Sequence, residues 1–400
     1  MPVWYQKRFI PTGQTNRELY YLDLKPGSFT DPRGIRHELN GLHRWDPKRC
    51  FAEKDLSTTY FGSEESTGIE QAFFRPVDQN GKKGVDYFTD FTHPSVDYDA
   101  LRSMMIYLCT QKMRTPKGLG WLKDQAGTTN REEILRLVVR LRDIFSAIWM
   151  ECAWQIADAE QSETKFIISD HPVTVYNRRC GPRSDWCRGN NDPDIRFQGT
   201  HTIFPLSLEK IIILTNLSWV RNPYQPEINV RPNPNFEREA VFDYTAVQTH
   251  RHLTELEVRQ INFIIKSRAL RYVAATKEEW LYPDMYVSKA QWNKFGDGYL
   301  LMPDPRPIHT SGEWIFGYSG GTVKAFDEYG RIPWDSDYKK ESRNRTEANS
   351  LDRFKGEFAR LYGPYRRGRT FESIEVGKER DDDEYHQFHL SLERKNNRSC

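Results

Sequence analysis

Apolar residues recur along the chain at two different spacings. Between Ser95 and Arg114, Leu101, Met104, Met105 and Leu108 repeat at three and four residues, which places them on one helical face, and Thr115 with Pro116 ends that helix. The longest pattern of this kind runs from Thr129 to Glu160. There Ile134, Val138, Leu141, Phe145, Ile148, Cys152 and Ile156 form one stripe, Thr129 and Glu132 have capping-box spacing, and a long buried helix is expected to organise the core. A third helix starts at Thr254, again with capping-box spacing to Glu257, and its stripe of Val258, Ile261, Ile265, Ala269 and Tyr272 continues towards Ala275. A last one is expected from Glu347 to Tyr362, where Leu351, Phe354, Phe358 and Leu361 share a face before Gly363 and Pro364.

Shorter apolar runs read as strands. Arg17 to Lys25 is closed by Pro26 and Gly27, Arg49 to Phe61 alternates Phe51, Leu56 and Tyr60 with polar partners, and Lys165 to Ser169 is a brief buried run. His201 to Leu206 and Lys210 to Leu214 form a pair around a Leu-Ser-Leu-Glu turn. Gly68 to Phe74 reads as a short helix stopped by Pro76 and a Gln-Asn-Gly-Lys-Lys-Gly turn.

These elements imply a mixed α/β (α+β) fold, a helix-rich core around a small sheet with an irregular or β-rich C-terminal appendage. The expected organisation is a core domain over residues 1–280, an aromatic, Gly/Pro-rich appendage over 281–340 carrying Trp292, Trp314 and Trp334, and an amphipathic helix with a charged tail over 341–400. The tail after Arg369 includes Asp381, Asp382, Asp383 and Glu384 and is expected to be solvated and partly disordered. The appendage is expected to pack on the core through its tryptophans, since an exposed surface so rich in aromatics would be adhesive.

Composition narrows the class. The chain has 400 residues, 38% hydrophobic and 28% charged, with a mean hydropathy of -0.77, which describes a globular protein with a heavily charged exterior. Its 58 basic and 56 acidic residues leave a formal net charge of +2, so no global field favours nucleic acid, while a local basic patch or a protein partner stays open. The six cysteines include no C-x-x-C pair and read as free thiols of a reducing compartment. With no secretory signal pattern and no apolar run of bilayer length, a cytoplasmic protein with no membrane contact is expected.

Five short patterns, in order, resemble the domain-of-unknown-function 4238 family, whose members are mostly bacterial. They are Pro2, Tyr5, Arg8 and Phe9; Glu53, Lys54, Asp55 and Leu56; Ile69 with Glu70; Gln111, Arg114, Thr115 and Pro116; and Ile168, Ser169, Asp170, Pro172 and Val173. A closing helix with Asn262 and Ala269 resembles the family's last helix, so the resemblance spans residues 2–275. Two positions depart from it: Met1 stands where the family carries a histidine, and His171 where it prefers Asn. The resemblance implies no established activity; a role in bacterial defence or toxicity enters only through the company some relatives keep.

Asp170, at the carboxyl end of an apolar strand, is the first candidate for chemistry, as a metal ligand or general base, against the alternative that it caps its own turn before Pro172. Glu70 sits among apolar neighbours, where partial burial would shift its pKa, and Arg114 ends a helix, where it would clamp a phosphate or carboxylate or else simply complement the helix dipole. Tyr5, Arg8, Glu53, Ser169 and His171 complete the candidate binding set. One reading is a hydrolase of phosphodiesters with Glu70 and Asp170 as acids, Arg114 stabilising charge and a divalent metal ion as cofactor. The other is a non-catalytic binding or sensor protein, in which the family core recognises a ligand or partner and the aromatic C-terminal appendage supplies contacts; a buried, mutually satisfied trio of Glu70, Arg114 and Asp170 would instead be a purely structural network. A zinc site from His171, Cys180, Cys187 and His201 is disfavoured, because the two cysteines are wider apart than usual zinc-ligand pairs. Phosphate-loop, dinucleotide-binding, H-E-x-x-H and G-x-S-x-G signatures are missing.

Overall fold

Two antiparallel-rich sheets share one hydrophobic core, and an N-terminal turn of helix is wedged between them. The structure, a computed structural model, describes residues 1–52, 59–61, 64–66, 70–91, 97–150, 152–197, 199–216 and 247–295, and further on 313–317, 321, 323–327, 355–356, 359, 365–366 and 381–397. After α1 (Val3–Gln6) come β1 (Leu19–Asp23), the small hairpin β2 (Ser28–Thr30) and β3 (Arg36–Glu38), and β4 (Leu42–Trp45). A second small hairpin, β5 (Thr59–Phe61) with β6 (Glu64–Ser66), precedes the helical stretch α2 (Arg75–Thr89), α3 (Tyr98–Arg114), α4 (Pro116–Ala126), α5 (Arg131–Arg140) and α6 (Ser146–Met150). The chain continues through β7 (Ala153–Asp158), β8 (Ile168–Ser169), β9 (Thr174–Tyr176), β10 (His201–Pro205), β11 (Lys210–Thr215), β12 (Gln248–His252), α7 (Glu255–Arg268) and β13 (Tyr272–Ala275).

The first sheet has the order β4-β1-β13-β8 and the second β12-β7-β11-β10-β9, so the mixed α/β class holds. β7 pairs antiparallel with β11 and parallel with β12, and Trp154, Gln155, Ile156 and Ala157 are all buried, as expected of a strand covered on both faces. The side chain of Asn262 on α7 accepts from the Ile167 N–H (3.2 Å) and donates to the Lys165 carbonyl (2.8 Å), fixing that helix to the segment leading into β8. The Tyr5 hydroxyl donates to the Pro205 carbonyl (2.7 Å) while its ring stacks on Phe204, tying α1 to the second sheet.

The expected helix from Thr129 to Glu160 is three elements. α5 ends at Arg140, a turn leads into α6, and residues from 153 onward form β7. Ile148, Cys152 and Ile156 are spaced by four, which satisfies a helical face and the two-residue repeat of a strand equally, and pairing with β11 decides for the strand. The N-cap is Asn130 rather than Thr129; its side chain accepts from the Glu132 and Glu133 N–H groups.

Pro76, expected to end a helix, instead lies in the first turn of α2, where its missing N–H costs nothing. The glycines read as a turn are helical because α3 presses against them. A Cβ on Gly81 would fall 2.2 Å from the Tyr107 ring, and one on Gly84 would fall 3.0 Å from the Met104 nitrogen. α7 stops at Arg268, short of the expected Ala275, and the remainder becomes β13.

Trp280 and Trp292 are buried, and the Tyr176 hydroxyl donates to the Trp292 carbonyl (2.7 Å), so the start of the aromatic segment packs on the core as expected. The side chains of Trp314 and Trp334 lie outside the described residues, though 313–317 pairs with 323–327 as a β-hairpin. Of the helix expected at 347–362, residues 355, 356 and 359 are described, all helical. Within the charged tail, where no helix is expected, α8 (Asp383–Asn397) is a helix whose sequence places Asp383 and Glu384 at its start and Arg394 and Lys395 near its end, the order that favours the helix dipole. Of the strand expected at 49–61, Arg49 to Phe51 form a turn, Thr59–Phe61 is β5, and 53–58 lie outside the described residues. No helix among the described residues is long and apolar enough to cross a membrane.

Candidate functional site

The last turn of α3 divides two clefts. Asp97 caps the start of this helix by accepting from the Ala100 N–H (2.8 Å), and the helix runs to Arg114, where Thr115 takes over as N-cap of α4. Arg114 lines one cleft, Lys112 the other.

The first cleft has a volume of about 690 Å³ and lies between α1, the turn at 47–52, the start of α2 and the loop 270–272. Glu70, Arg114 and Asp170, brought from three separate segments, all line it. Glu70 opens a π-helical turn (Glu70–Phe74) that leads into α2; it is half-buried and its carboxylate has no partner among the described residues. Arg114 donates to Asp78 Oδ1 (2.5 Å) and lies 5.5 Å from the centre of the Phe74 ring. Burial pushes the Asp78 pKa up, the Arg114 guanidinium pulls it back in part, and nearby Glu70 adds to the rise.

Asp170 follows β8 directly and is nearly buried, 9% exposed. It does not cap its own turn. Its Oδ1 accepts from the Leu270 N–H (2.9 Å), and its Oδ2 from the N–H groups of Arg271 (2.7 Å) and Tyr272 (2.9 Å). One carboxylate thereby satisfies the backbone where α7 gives way to β13, which is why the helix ends there. Burial raises its pKa against these three N–H donors. Asp170→Asn is expected to destabilise the fold by about 1–3 kcal/mol, because the amide group must face at least one buried N–H. Denaturant unfolding checks this; unchanged stability would remove Asp170 from the framework.

The remaining candidates disperse. Tyr5 is fully buried in the core, and Arg8 donates to the Leu206 carbonyl (2.7 Å), to Thr89 Oγ1 (2.6 Å) and to Asp86, bridging α2 and the second sheet. Neither lines the cleft, and Glu53 lies outside the described residues. Ser169 is buried, its hydroxyl accepting from the His171 N–H (3.3 Å). The six-residue site expected around Tyr5, Arg8, Glu53, Glu70, Arg114 and Asp170 therefore reduces, among the described residues, to Glu70, Arg114 and Asp170.

His171 faces the second cleft, of about 710 Å³. Its Nε2 lies 2.9 Å from Asp192 Oδ2 and its Nδ1 2.8 Å from Thr115 Oγ1. Asp192 also accepts from Lys112 Nζ (2.7 Å) and Lys117 Nζ (2.6 Å), the latter donating as well to the Arg268 carbonyl (2.9 Å). Burial pushes the Asp192 carboxyl up, but Lys112, Lys117 and His171 outweigh it and hold the pKa well below the usual carboxylate range. Burial, against the pull of Asp192, takes His171 down to about 4. Neutral at pH 7, the imidazole carries its proton on Nε2, donates to Asp192 and accepts the Thr115 hydroxyl proton at Nδ1. Thr115 Oγ1 in turn accepts from the Gly118 N–H (3.1 Å), closing the set of bonds. The row of hydroxyl, imidazole and carboxylate resembles a nucleophile relay, yet two ammonium groups beside the ring oppose the imidazolium such a relay must form.

Neither Asp78 nor Asp192 was legible from sequence. Asp78 falls between Pro76 and the residues read as a turn, and Asp192 lies in the irregular run 189–194 with partners dozens of residues away. The expected pairing of Arg114 with Glu70 or Asp170 gives way to Asp78.

The acids of the first cleft offer no metal triad. Among the described residues, the group of three potential ligands within 4.8 Å of one another is Asp158, Glu160 and His252, away from both clefts, where Asp158 Oδ1 already bonds His252 Nδ1 (2.9 Å) and the Glu160 N–H (3.2 Å). His201 bonds Thr215 Oγ1 (2.9 Å), Cys180 and Cys187 form no disulfide, and among the described residues these groups do not come together as three potential ligands.

The model of one protein family, described as "Protein of unknown function (DUF4238)", matches residues 63–279, more than half of the chain. No curated protein and no solved structure matches.

Proposed function

The chain belongs to the DUF4238 family, whose description carries no activity, and we propose from the first cleft alone that it is a binding or sensor protein for a small polar molecule. The observation that supports this reading is the state of the three converging residues. Asp170 has both oxygens engaged by backbone N–H groups, and Arg114 is anchored by Asp78, so neither is placed to move a proton. Glu70 remains with a carboxylate unpartnered among the described residues, and Arg114 keeps guanidinium N–H groups beyond the one given to Asp78. A ligand carrying one donor for Glu70 and one acceptor for Arg114 fits this pair; the volume suits a small molecule.

The convergence of Glu70, Arg114 and Asp170 also favours, as a second reading, hydrolysis of phosphodiesters with a divalent metal. Among the described residues the donor set does not favour a metal, since no three potential ligand atoms of the cleft lie together. Both readings meet in one experiment. Thermal shift of the wild-type protein against nucleotides, zwitterionic amino acids and manganese should find a stabilising ligand that is recovered unchanged. Glu70→Gln, which keeps the shape and removes the charge, should weaken that ligand about tenfold, on the scale of one charge-assisted hydrogen bond. Metal-dependent phosphodiester cleavage lost in Glu70→Gln would replace the binding reading with hydrolysis. The same reading carries the division of the chain proposed above, with residues 1–280 holding the cleft and 281–340 and 341–400 as additions to it.

A further inference from the structure

The second cleft holds an imbalance of charge. Lys112 and Lys117 reach Asp192, their side chains no more than 11% exposed, and Arg268, 3% exposed as a residue, adds a third buried cation close enough to act on Lys112 while its guanidinium donates to the Cys180 carbonyl. His171 is neutral there. The other carboxylate that senses this group is Asp170, on the Lys117 side, and its oxygens are occupied by backbone N–H groups. At the mouth, Asp185 pairs with Arg188 and Asp194 with Arg196, cancelling one another. One positive charge is left over, and a buried charge without a counter-ion is costly.

The hydrogen-bond count locates the excess. Lys117 uses two of its three ammonium protons, on Asp192 and on the Arg268 carbonyl. Lys112 uses one, on Asp192 Oδ2, and no other described residue accepts from it. Lys112 lines the cleft. Beside asparagines and the paired aspartates, the lining carries an apolar and aromatic set: Met113, Trp121, Phe145, Ile148 and the half-exposed Trp186. A cation together with apolar, aromatic lining matches a molecule that carries an anion on an apolar body.

We propose that this cleft binds a small organic anion, a carboxylate or phosphate group carried on a flat apolar body, with Lys112 as its charge partner and the aromatic walls holding the body. The site is separate from the Glu70 and Arg114 cleft, and its occupancy does not depend on what that cleft binds.

Calorimetric titration of the full chain with phenyl phosphate, benzoate, inorganic phosphate and neutral benzamide tests it. At least one aromatic anion should bind saturably in the millimolar range or tighter and at least about tenfold more tightly than benzamide. The tighter of phenyl phosphate and benzoate names the acidic group. Lys112→Gln should lose that advantage and leave benzamide unchanged. Trp186→Ala, at a half-exposed position whose ring meets Phe197 edge-on, should weaken the aromatic anion and leave inorganic phosphate as it was, with circular dichroism confirming that the variant folds. Absence of saturable binding by either aromatic anion overturns the proposal, as does benzamide binding equally well. Inorganic phosphate matching phenyl phosphate would overturn the apolar half, and unchanged affinity in a folded Lys112→Gln protein would overturn the charge half. If Lys112→Gln does not fold, the wild-type comparison and Trp186→Ala still decide.

Discussion

Replacing Asp192 with Ala is expected to destabilise the protein by roughly 3–5 kcal/mol, the cost of leaving buried charges without their counter-ion. The side chain is 8% exposed and accepts from Lys112, Lys117 and His171, so its removal strands two ammonium groups and one imidazole N–H together. A loss of that size is a large share of the ~5–15 kcal/mol that holds a typical domain folded. Guanidinium unfolding of wild type and variant at pH 7 measures it. A paired substitution sharpens the reading: Asp192→Ala with Lys112→Met should recover part of the loss, because it removes one of the stranded charges and puts an apolar chain of similar length against Met113 and Phe145. A single-variant loss below about 1 kcal/mol would mean that water reaches the lysines and that the cluster is effectively at the surface.

Acidification is expected to destabilise the fold well before carboxylates as a class begin to protonate. Two histidines are buried and neutral. His171 is pushed down to about 4 by burial, partly offset by Asp192, and His201, beside Tyr176 and Thr215, to about 3 by burial and by the charge of Arg178. In the unfolded chain both protonate near the ordinary value of 6.5. Between pH 6.5 and about 4 the unfolded state therefore binds more protons than the folded one, and stability falls as pH falls. Above pH 6.5 neither group contributes any slope. Once its window has been crossed, the shift corresponds to a loss of roughly 3 kcal/mol for His171 and roughly 5 kcal/mol for His201. Asp192 acts in the same direction further down: held below 3.8 in the fold, it contributes stability that is present above that value and lost as pH drops through its folded pKa. Melting temperature should be flat from pH 8 to 7 and drop steeply from about pH 6 to 4. His171→Asn, the residue the family resemblance prefers there, should flatten the slope; a melting temperature unchanged from pH 8 to 4.5 would show that water reaches these rings in the folded state.

The sequence was readable where one local rule and the tertiary packing agree. Thr254 and Glu257 announce α7, and both bonds of the capping box are present. The β10 and β11 pair was legible because a polar turn separates two apolar runs of matching length. Legibility failed where spacing was compatible with two structures, as at Ile148, Cys152 and Ile156, and where glycine normally signals a turn but here admits a neighbouring helix, as at Gly81. For the site, the pattern found Glu70, Arg114 and Asp170 on one cleft but missed what each is bonded to. Asp78 is 36 residues from Arg114, and the backbone held by Asp170 is about 100 residues away, distances over which no periodicity carries information. The Asp192 cluster is more extreme, since Lys112 sits on α3 among residues that read as ordinary helix surface, and Lys117 sits on α4, after Pro116, where the sequence pattern predicts no element.

The position of β1 has a consequence for how this protein can be cut. β1 lies between β4 and β13, matching Tyr21 with His43 on one side and Ala274 on the other. Both β1 and β4 precede residue 63, where the family match begins, whereas β13 and β8 lie inside it. The stretch that the family model matches is thus not by itself a unit of folding, although the resemblance by short patterns reaches back to Pro2. A fragment started at the family boundary would carry half a sheet, with β13 presenting a bare row of backbone N–H and C=O groups to any strand that came near, including the same strand of a second fragment.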